Sequence, residues 1–143
     1  MQKSVKSGMK QDEKENKSIV LEYLKLVAMG KFEEGLRFFS TDCKTHNPFI
    51  KGDMRAIVDA QIAASKGMPA QNAEFSVKSV ISGGDMVAAH TEMLFDKSNL
   101  SEGGLRQVHL FRFKGDKIVE YWDITQMITK DMPNSGGAFT TKK

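Results

Sequence analysis

The chain has a single cysteine among its 143 residues, and this scarcity excludes several kinds of site. One thiol cannot form an intramolecular disulfide framework or a CxxC metal knuckle. We interpret Cys43 as a spectator thiol, since a nucleophilic cysteine needs an activating environment. No phosphate-binding loop is expected either, because Gly83-Gly84 and Gly103-Gly104 are predicted to lie in hairpin turns rather than between a strand and a helix.

Long hydrophobic runs are also missing. The first 18 residues are polar and rich in lysine, with no apolar stretch behind a basic start, so no signal peptide is predicted. No window approaches the roughly 20 apolar residues that a membrane span needs. These absences favour a cytoplasmic protein with no membrane partner.

The folded part of the chain lacks an excess of positive charge, although the formal net charge is +3. The basic excess lies in residues 1–18 and 130–143, whereas residues 19–129 hold 13 basic and 14 acidic side chains. Proteins that bind nucleic acid need a clustered basic patch, so no nucleic-acid partner is expected. The lysine-rich ends are interpreted as solvating tails.

The length and composition indicate one domain with a single core. Hydrophobic residues make up 40% and charged residues 27% of the chain, as in ordinary globular proteins. The predicted organisation is a flexible amino-terminal tail over residues 1–11, one domain over 12–129, and a carboxyl-terminal tail over 130–143.

Helical periodicity dominates the first part of the predicted domain. Apolar residues recur at i, i+3, i+4 and i+7 and predict a helix from Asp12 to about Gly30, through Val20, Tyr23, Leu24 and Val27. A short second helix is predicted over about residues 32–39, followed by a loop at 40–42. Asp53 is a typical N-cap for a third helix that reaches about Lys66, and residues 67–69 break it.

The pattern changes to strands after about residue 72. Alternation and turn residues predict strands at 75–82, 86–95, 105–114 and 117–127, with a two-residue turn at Gly115-Asp116. Helices followed by hairpin-connected strands predict an α+β domain, whose curved sheet is covered by helices on one face. The concave side of such a sheet is a place where ligand cavities form.

His109 and Asp123 are the most informative pair, because the predicted hairpin brings them onto neighbouring strands. Alternation puts two sets of side chains on the predicted inward face: Gln107, His109, Phe111 and Phe113, and Val119, Tyr121, Asp123 and Thr125. An imidazole and a carboxylate in an apolar cavity suit general acid–base catalysis, since burial raises the pKa of a carboxyl. The alternative is that His109 and Asp123 are a structural hydrogen-bonded pair or polar groups that merely line the cavity.

Further polar residues are candidate ligand contacts. His46 and Asn47 precede Pro48 on an irregular segment, where they either contact a ligand carbonyl or fix the loop. His90 interrupts an apolar strand and is either a ligand contact or a satisfied core histidine. Three residues complete the predicted substrate-binding set: Tyr23, Phe49 and Tyr121.

A metal site is a weaker hypothesis. Three histidines and an aspartate could supply ligands for zinc or iron. No two of them have a local ligand spacing such as HxH or HExxH, so no metal is expected.

Trp122 and Ile124 face away from Asp123 on a regular strand. They predict an apolar patch of the kind that marks an association surface.

Three segments resemble the SnoaL-like polyketide cyclase branch of the nuclear transport factor 2-like superfamily. They are His46-Asn47-Pro48 followed by Gly52, the strand segment 108–113, and Lys117-Ile118-Val119-Glu120-Tyr121-Trp122-Asp123 with the residues that follow it. The resemblance spans about residues 19–127. It implies a cone-shaped α+β barrel of the cystatin-like kind, in which a curved antiparallel or mixed sheet wraps about three amino-terminal helices. A ligand cavity in the cone and a homodimer are also implied.

The resemblance also implies chemistry. In the cyclases, an Asp on the last strand is the general acid/base of an intramolecular aldol ring closure, assisted by a His on the preceding strand, and Asp123 and His109 match these positions. No metal or organic cofactor is implied. The leading hypothesis is a cyclase- or isomerase-type enzyme for a small apolar carbonyl compound. The alternatives are a non-catalytic domain that binds a hydrophobic ligand and a structural dimerisation domain with a filled cone.

Overall fold

A computed structural model describes residues 10–67 and 72–140 of the chain. Helix α1 spans Gln11–Ala28, a 3₁₀ helix spans Glu33–Phe38, and helix α2 spans Met54–Lys66. The strands are β1 (Phe39–His46), β2 (Glu74–Gly83), β3 (Met86–Leu94), β4 (Gly103–Lys114) and β5 (Lys117–Thr129). Two 3₁₀ turns lie at Leu100–Glu102 and Gly136–Ala138. The predicted flexible tail lies outside the described residues, apart from its last two positions, and so does most of the predicted break at 67–69.

Both long helices follow the predicted periodicity. Helix α1 buries Val20, Tyr23 and Leu24 on one face, and its first turn is tied to the sheet because Ser82 Oγ donates to the Glu13 carbonyl. The Asp53 side chain caps α2 by accepting a hydrogen bond from the Ala56 amide at 3.1 Å, which confirms the predicted N-cap. Within the described residues, no helix has the length and apolarity needed to cross a membrane.

The five strands form one mixed sheet in the order β1-β5-β4-β3-β2. β1 pairs with β5 in parallel, and the other neighbours are antiparallel. The predicted α+β class with a curved sheet is confirmed. The sheet is open, with β1 and β2 at its edges, so the barrel implied by the resemblance does not close.

Strand β1 is the main difference from the predicted elements. The sequence pattern predicts a helix that ends at Phe39 and a loop at residues 40–42, but all of these residues belong to β1. The strand buries Phe39 and Cys43 and leaves polar residues towards solvent, so its short polar run resembles a loop. Its pairing with β5 supplies the backbone hydrogen bonds that make it a strand.

A β-bulge near the start of β5 changes which residues face inward. Phe113 pairs with Ile118 and Arg112 pairs with Glu120, which leaves Val119 as the extra residue. Ile118 is therefore fully buried in the core, and Val119 does not take the inward position predicted for it. Tyr121, Asp123 and the later residues keep the predicted alternation.

The carboxyl-terminal segment packs against the sheet as far as Thr140. Phe139 is buried, and the carboxylate of the buried Glu92 accepts hydrogen bonds from the Thr140 amide and hydroxyl. This part of the predicted solvating tail is therefore packed. The main core lies on the opposite face of the sheet, between its concave side and the two helices.

Candidate functional site

A cavity of about 620 Å³ lies between the concave face of the sheet and helices α1 and α2. Most of its lining is apolar, from Leu24 and Ile57 on the helices to Phe75 and Leu105 on the strands. The polar lining residues are Tyr23, Asn47, Gln61, Gln107, His109, Tyr121, Asp123 and Thr125. This is the composition of a site for a largely apolar ligand with a few oriented polar groups.

The cavity has a closed end and an open end along β5. Tyr121 is 1% exposed and Met127 is 56% exposed, and Asp123 lies between them with intermediate exposure. All three face inward, because they are separated by even numbers of residues on a regular part of the strand. A ligand that enters past Met127 would therefore meet Asp123 before it reaches the tyrosine.

Asp123 is held by one amide. The Asn47 side-chain nitrogen donates to both carboxylate oxygens, at 2.8 and 2.9 Å. The Asn47 oxygen accepts hydrogen bonds from the backbone amides of Phe49 and Ile50, which fixes the amide in turn. Burial raises the pKa of Asp123, and the Asn47 hydrogen bond opposes that rise.

His109 is buried and has a partner at each ring nitrogen. Nε2 lies 2.9 Å from the Thr91 hydroxyl, and Nδ1 lies 2.9 Å from the Tyr121 hydroxyl. Burial lowers the pKa of His109 to about 4, so the ring is neutral at physiological pH. His109 and Asp123 are direct neighbours in the β4–β5 register, as predicted, but His109 has its hydrogen bonds elsewhere.

Two tyrosines form the closed end with Gln61. Burial raises the pKa of Tyr23 to about 12 and holds the pKa of Tyr121 well above its ordinary value, so both phenols keep their protons. The Tyr23 hydroxyl and the Gln61 side-chain oxygen are buried without a hydrogen-bond partner in the described structure. Gln61 and Tyr121 adjoin the Tyr23 hydroxyl without reaching hydrogen-bonding geometry.

His46 does not line the cavity, in contrast to the predicted substrate contact. It is the last residue of β1, its ring stacks on Trp122 with centroids 4.9 Å apart, and its Nε2 lies 2.7 Å from a Glu120 oxygen. Asn47 follows it and turns inward. Of the two neighbouring residues predicted to contact a ligand, only Asn47 therefore lines the cavity. Phe49 lies at the cavity mouth, with 87% of its surface exposed.

His90 also lies outside the cavity, on the outer face of the sheet. Its Nε2 is 3.3 Å from a Glu92 carboxylate oxygen. Both residues line a separate groove of about 570 Å³, which the segment from Gly137 to Thr140 borders. His90 is therefore neither in the main cavity nor a buried core histidine, because alternation on β3 directs Ala89 and Thr91 inward instead.

Gln61 and Thr91 were not among the predicted site residues. Gln61 follows the buried Ile57 by one helical turn, and this spacing was a usable signal for the inward face of α2. Thr91 follows the inward Ala89 by two strand positions.

In the part of the chain that the structure describes, no three His, Cys, Asp or Glu side chains lie close enough together to hold a metal ion. Burial raises the pKa of the Cys43 thiol to about 12, in keeping with a spectator role.

Comparison with known proteins identifies relatives of this fold. Residues 20–121 match the family model of the SnoaL-like domain. AclR from Streptomyces galilaeus, a proposed hydroxylase, superposes with a TM-score of 0.65 at 19% identity, over 80% of this chain and 90% of AclR. A proposed ketosteroid isomerase from Kribbella flavida superposes with a TM-score of 0.61 at 11% identity, over 92% of this chain and 93% of that one.

A nuclear transport factor 2-like protein of unknown function from Mesorhizobium loti has a TM-score of 0.62 at 14% identity, over 83% of this chain and 97% of its own. No curated protein sequence matches the chain significantly. At these identities the similar structures show a shared fold.

Proposed function

The chain belongs to the SnoaL-like domain family, and from this premise we propose that it is a cyclase- or isomerase-type enzyme for a small apolar carbonyl compound. In the proposed reaction, the Asp123 carboxylate removes a proton from the carbon next to the carbonyl, and the electrons of the C–H bond form an enolate. In an isomerisation, the proton returns at another carbon. In an aldol-type cyclisation, the enolate carbon bonds to a second carbonyl carbon, and the resulting alkoxide takes the proton.

The observation that carries the proposal is the placement of Asp123. Its carboxylate lies part-way down an apolar cavity, and both oxygens accept from the single Asn47 amide. Burial raises its pKa, which makes the carboxylate a stronger base than one in water. The cavity of about 620 Å³ also argues against a structural domain that fills its own cone.

The other polar residues take supporting parts in this proposal. Asn47 orients Asp123, and Tyr23, Tyr121 and Phe49 contact the ligand. His109 acts as a neutral group, since burial lowers its pKa to about 4 and both its nitrogens already have partners. The structural similarity to a proposed ketosteroid isomerase supports a scaffold that accommodates proton transfer next to a carbonyl.

A non-catalytic binding domain is the second candidate, and one observation favours it. Proton transfer between two sites often uses a second titrating group, but His109 is neutral and doubly hydrogen-bonded. Asp123 is then the sole carboxylate or imidazole of the described cavity lining that is free to titrate. Such a cavity would hold a hydrophobic ligand without turning it over.

Deuterium exchange separates the two candidates. The protein is incubated in D₂O with 2-tetralone, an apolar ketone with acidic hydrogens, and exchange is followed by proton NMR. We expect the protein to accelerate deuterium exchange. The Asp123→Asn substitution should lower the accelerated rate at least 100-fold, as loss of a general base does. The matched control is Asp116→Asn, in the exposed β4–β5 turn. If the Asp123→Asn variant exchanges 2-tetralone at the wild-type rate, the proposed enzymatic role is contradicted. If the wild type binds 2-tetralone without accelerating exchange, the binding domain is supported.

We also propose a homodimer that forms through the outer face of the sheet. Val108 and Ile124 are 40% and 57% exposed there and are direct neighbours in the β4–β5 register. Exposed apolar side chains that adjoin one another mark association surfaces.

A further inference from the structure

We propose that Thr91 fixes His109 as the Nδ1–H tautomer, and that the Tyr121 hydroxyl is thereby left to donate a hydrogen bond to a ligand oxygen at the closed end of the cavity. The ligand is then an apolar compound that enters with a carbonyl or enolate oxygen foremost. The proposal deepens the proposed function at the same site. Its first half concerns the protein alone and holds whether or not the protein is an enzyme.

The argument begins with Thr91. This side chain is fully buried, and its hydroxyl has one partner in the described structure, His109 Nε2 at 2.9 Å. A buried hydroxyl hydrogen without an acceptor is costly. Thr91 does not line the cavity, whereas Tyr121 does, so only the Tyr121 hydrogen can find an acceptor there. Thr91 therefore donates to Nε2, and Nε2 carries no hydrogen of its own.

The tautomer of His109 follows from this direction. Burial lowers the pKa of the ring to about 4, so the ring is neutral and carries one hydrogen. Since Nε2 accepts from Thr91, that hydrogen is on Nδ1. Nδ1 lies 2.9 Å from the Tyr121 oxygen, and so His109 donates to Tyr121.

Tyr121 then accepts from His109 and still has its own hydrogen to donate. The Tyr121 phenol is buried and its pKa is far above neutrality, so the hydrogen is always present. The adjoining Tyr23 hydroxyl and Gln61 oxygen are buried without a hydrogen-bond partner in the described structure. Tyr121 and Tyr23 thus place two hydroxyl hydrogens at one end of an apolar cavity, which indicates a place for the acceptor oxygen of a ligand.

The position of Asp123 sets the polarity of the ligand. Tyr121 and Asp123 are two residues apart on the same face of β5, so their Cα atoms are roughly 7 Å apart. A neutral donor at the closed end and a carboxylate part-way down suit a carbonyl oxygen that points inward, with its neighbouring carbon near Asp123. Negative charge that develops on the oxygen is stabilised by such fixed donors. His109 is therefore a positioning residue that acts through Tyr121.

NMR of the ¹⁵N-labelled protein tests the tautomer. Long-range proton–nitrogen correlations distinguish protonated from unprotonated ring nitrogens, and the variants His46→Gln and His90→Gln identify His109 among the three histidines. We expect the hydrogen on Nδ1 in the wild type. Thr91→Val removes the donor and is expected to introduce the Nε2–H tautomer. A wild-type spectrum with the hydrogen on Nε2 overturns the proposal, even if Thr91→Val does not fold.

Paired ligands test the donor. Binding of 2-tetralone is compared with binding of tetralin, which has the same rings and no oxygen. Tyr121→Phe is expected to weaken the binding of 2-tetralone about fivefold to tenfold and to leave the binding of tetralin unchanged. Thr91→Val should act in the same direction, whereas Thr129→Val, which removes a surface hydroxyl, should not. A wild type without preference for 2-tetralone over tetralin, or a Tyr121→Phe variant that keeps the preference, overturns the donor role.

The two proposals fail separately. If Tyr121→Phe keeps the preference but Asp123→Asn loses exchange, the proposed function stands without the tyrosine donor. If Tyr121→Phe loses the preference and no exchange occurs, the donor stands in a binding domain.

Discussion

The side-chain amide of Asn47 donates to both oxygens of the Asp123 carboxylate, at 2.8 and 2.9 Å. The two residues are 76 positions apart in the chain, and they meet because Asn47 follows the parallel edge strand β1 beside β5. The Asn47 oxygen is fixed by the amides of Phe49 and Ile50 at the cavity mouth. The orientation of the proposed base therefore depends on a loop that borders the ligand entrance.

Asn47→Ala tests this dependence. The Asn47 hydrogen bond lowers the pKa of Asp123, so its removal should raise that pKa further. We expect the acid limb of the pH profile of 2-tetralone exchange to move to higher pH. The rate at high pH should fall about tenfold or more, because the carboxylate loses the amide that orients it. Asn99→Ala is the matched control, since the Asn99 side chain also accepts a hydrogen bond from a backbone amide but lies outside the cavity. An unmoved acid limb contradicts the coupling.

Asp123→Asn should not destabilise the protein at neutral pH. The folded-state pKa of Asp123 is raised, so the carboxyl contributes stability only while it is protonated, and this contribution is lost as the pH rises through the folded-state pKa. We expect the variant to gain stability relative to the wild type as the pH rises from acid to neutral. Urea unfolding across that range measures the difference. The opposite result would be a variant that is less stable than the wild type at neutral pH, with a stability deficit that is larger there than at acid pH. That result would show that Asp123 is a structural group.

His109 should make the protein sensitive to acid. Its folded-state pKa is lowered to about 4 from 6.5, so its contribution is fully present above the unfolded value and is lost as the pH falls through the folded value. A shift of this size corresponds to about 3 kcal/mol of unfolding free energy between pH 6.5 and about 4. Urea unfolding of His109→Gln should show a smaller loss over this window. Thr125→Ser, which changes an exposed side chain of the same hairpin that does not titrate, should show the wild-type loss. Equal losses in His109→Gln and Thr125→Ser would contradict the assignment.

Much of the fold follows from local patterns, but one strand and one bulge do not. The two long helices and strands β2 to β5 have the periodicity and turn residues that predict them. β1 was missed because its exposed edge tolerates a polar run such as Ser40-Thr41-Asp42, which has no apolar alternation to recognise. The bulge at Val119 depends on the pairing of β5 with β4, and a single strand does not encode it.

The candidate site divides in a similar way. Alternation correctly predicts that His109, Tyr121 and Asp123 share a face, because that pattern is local. Which face His90 takes was ambiguous, since β3 carries small apolar residues on both sides. The partners of His109 and Asp123 come from other elements and could not be predicted, because a hydrogen bond depends on tertiary packing and on the direction of each donor.

The proposed dimer can be tested with two residues of one strand. Ile124 and Met127 are 57% and 56% exposed, but Ile124 is on the outer face and Met127 is at the mouth of the cavity. A glutamate at an association surface must be desolvated when the subunits meet, whereas one at the cavity mouth remains in water. We therefore expect light scattering at micromolar concentration to give a dimer for the wild type and Met127→Glu, and a monomer for Ile124→Glu. A monomeric wild type, or a dimeric Ile124→Glu variant, would show that the outer face is not the interface. Since both substitutions add one negative charge at positions of nearly equal exposure, a difference between them points to the face of the sheet that each one occupies.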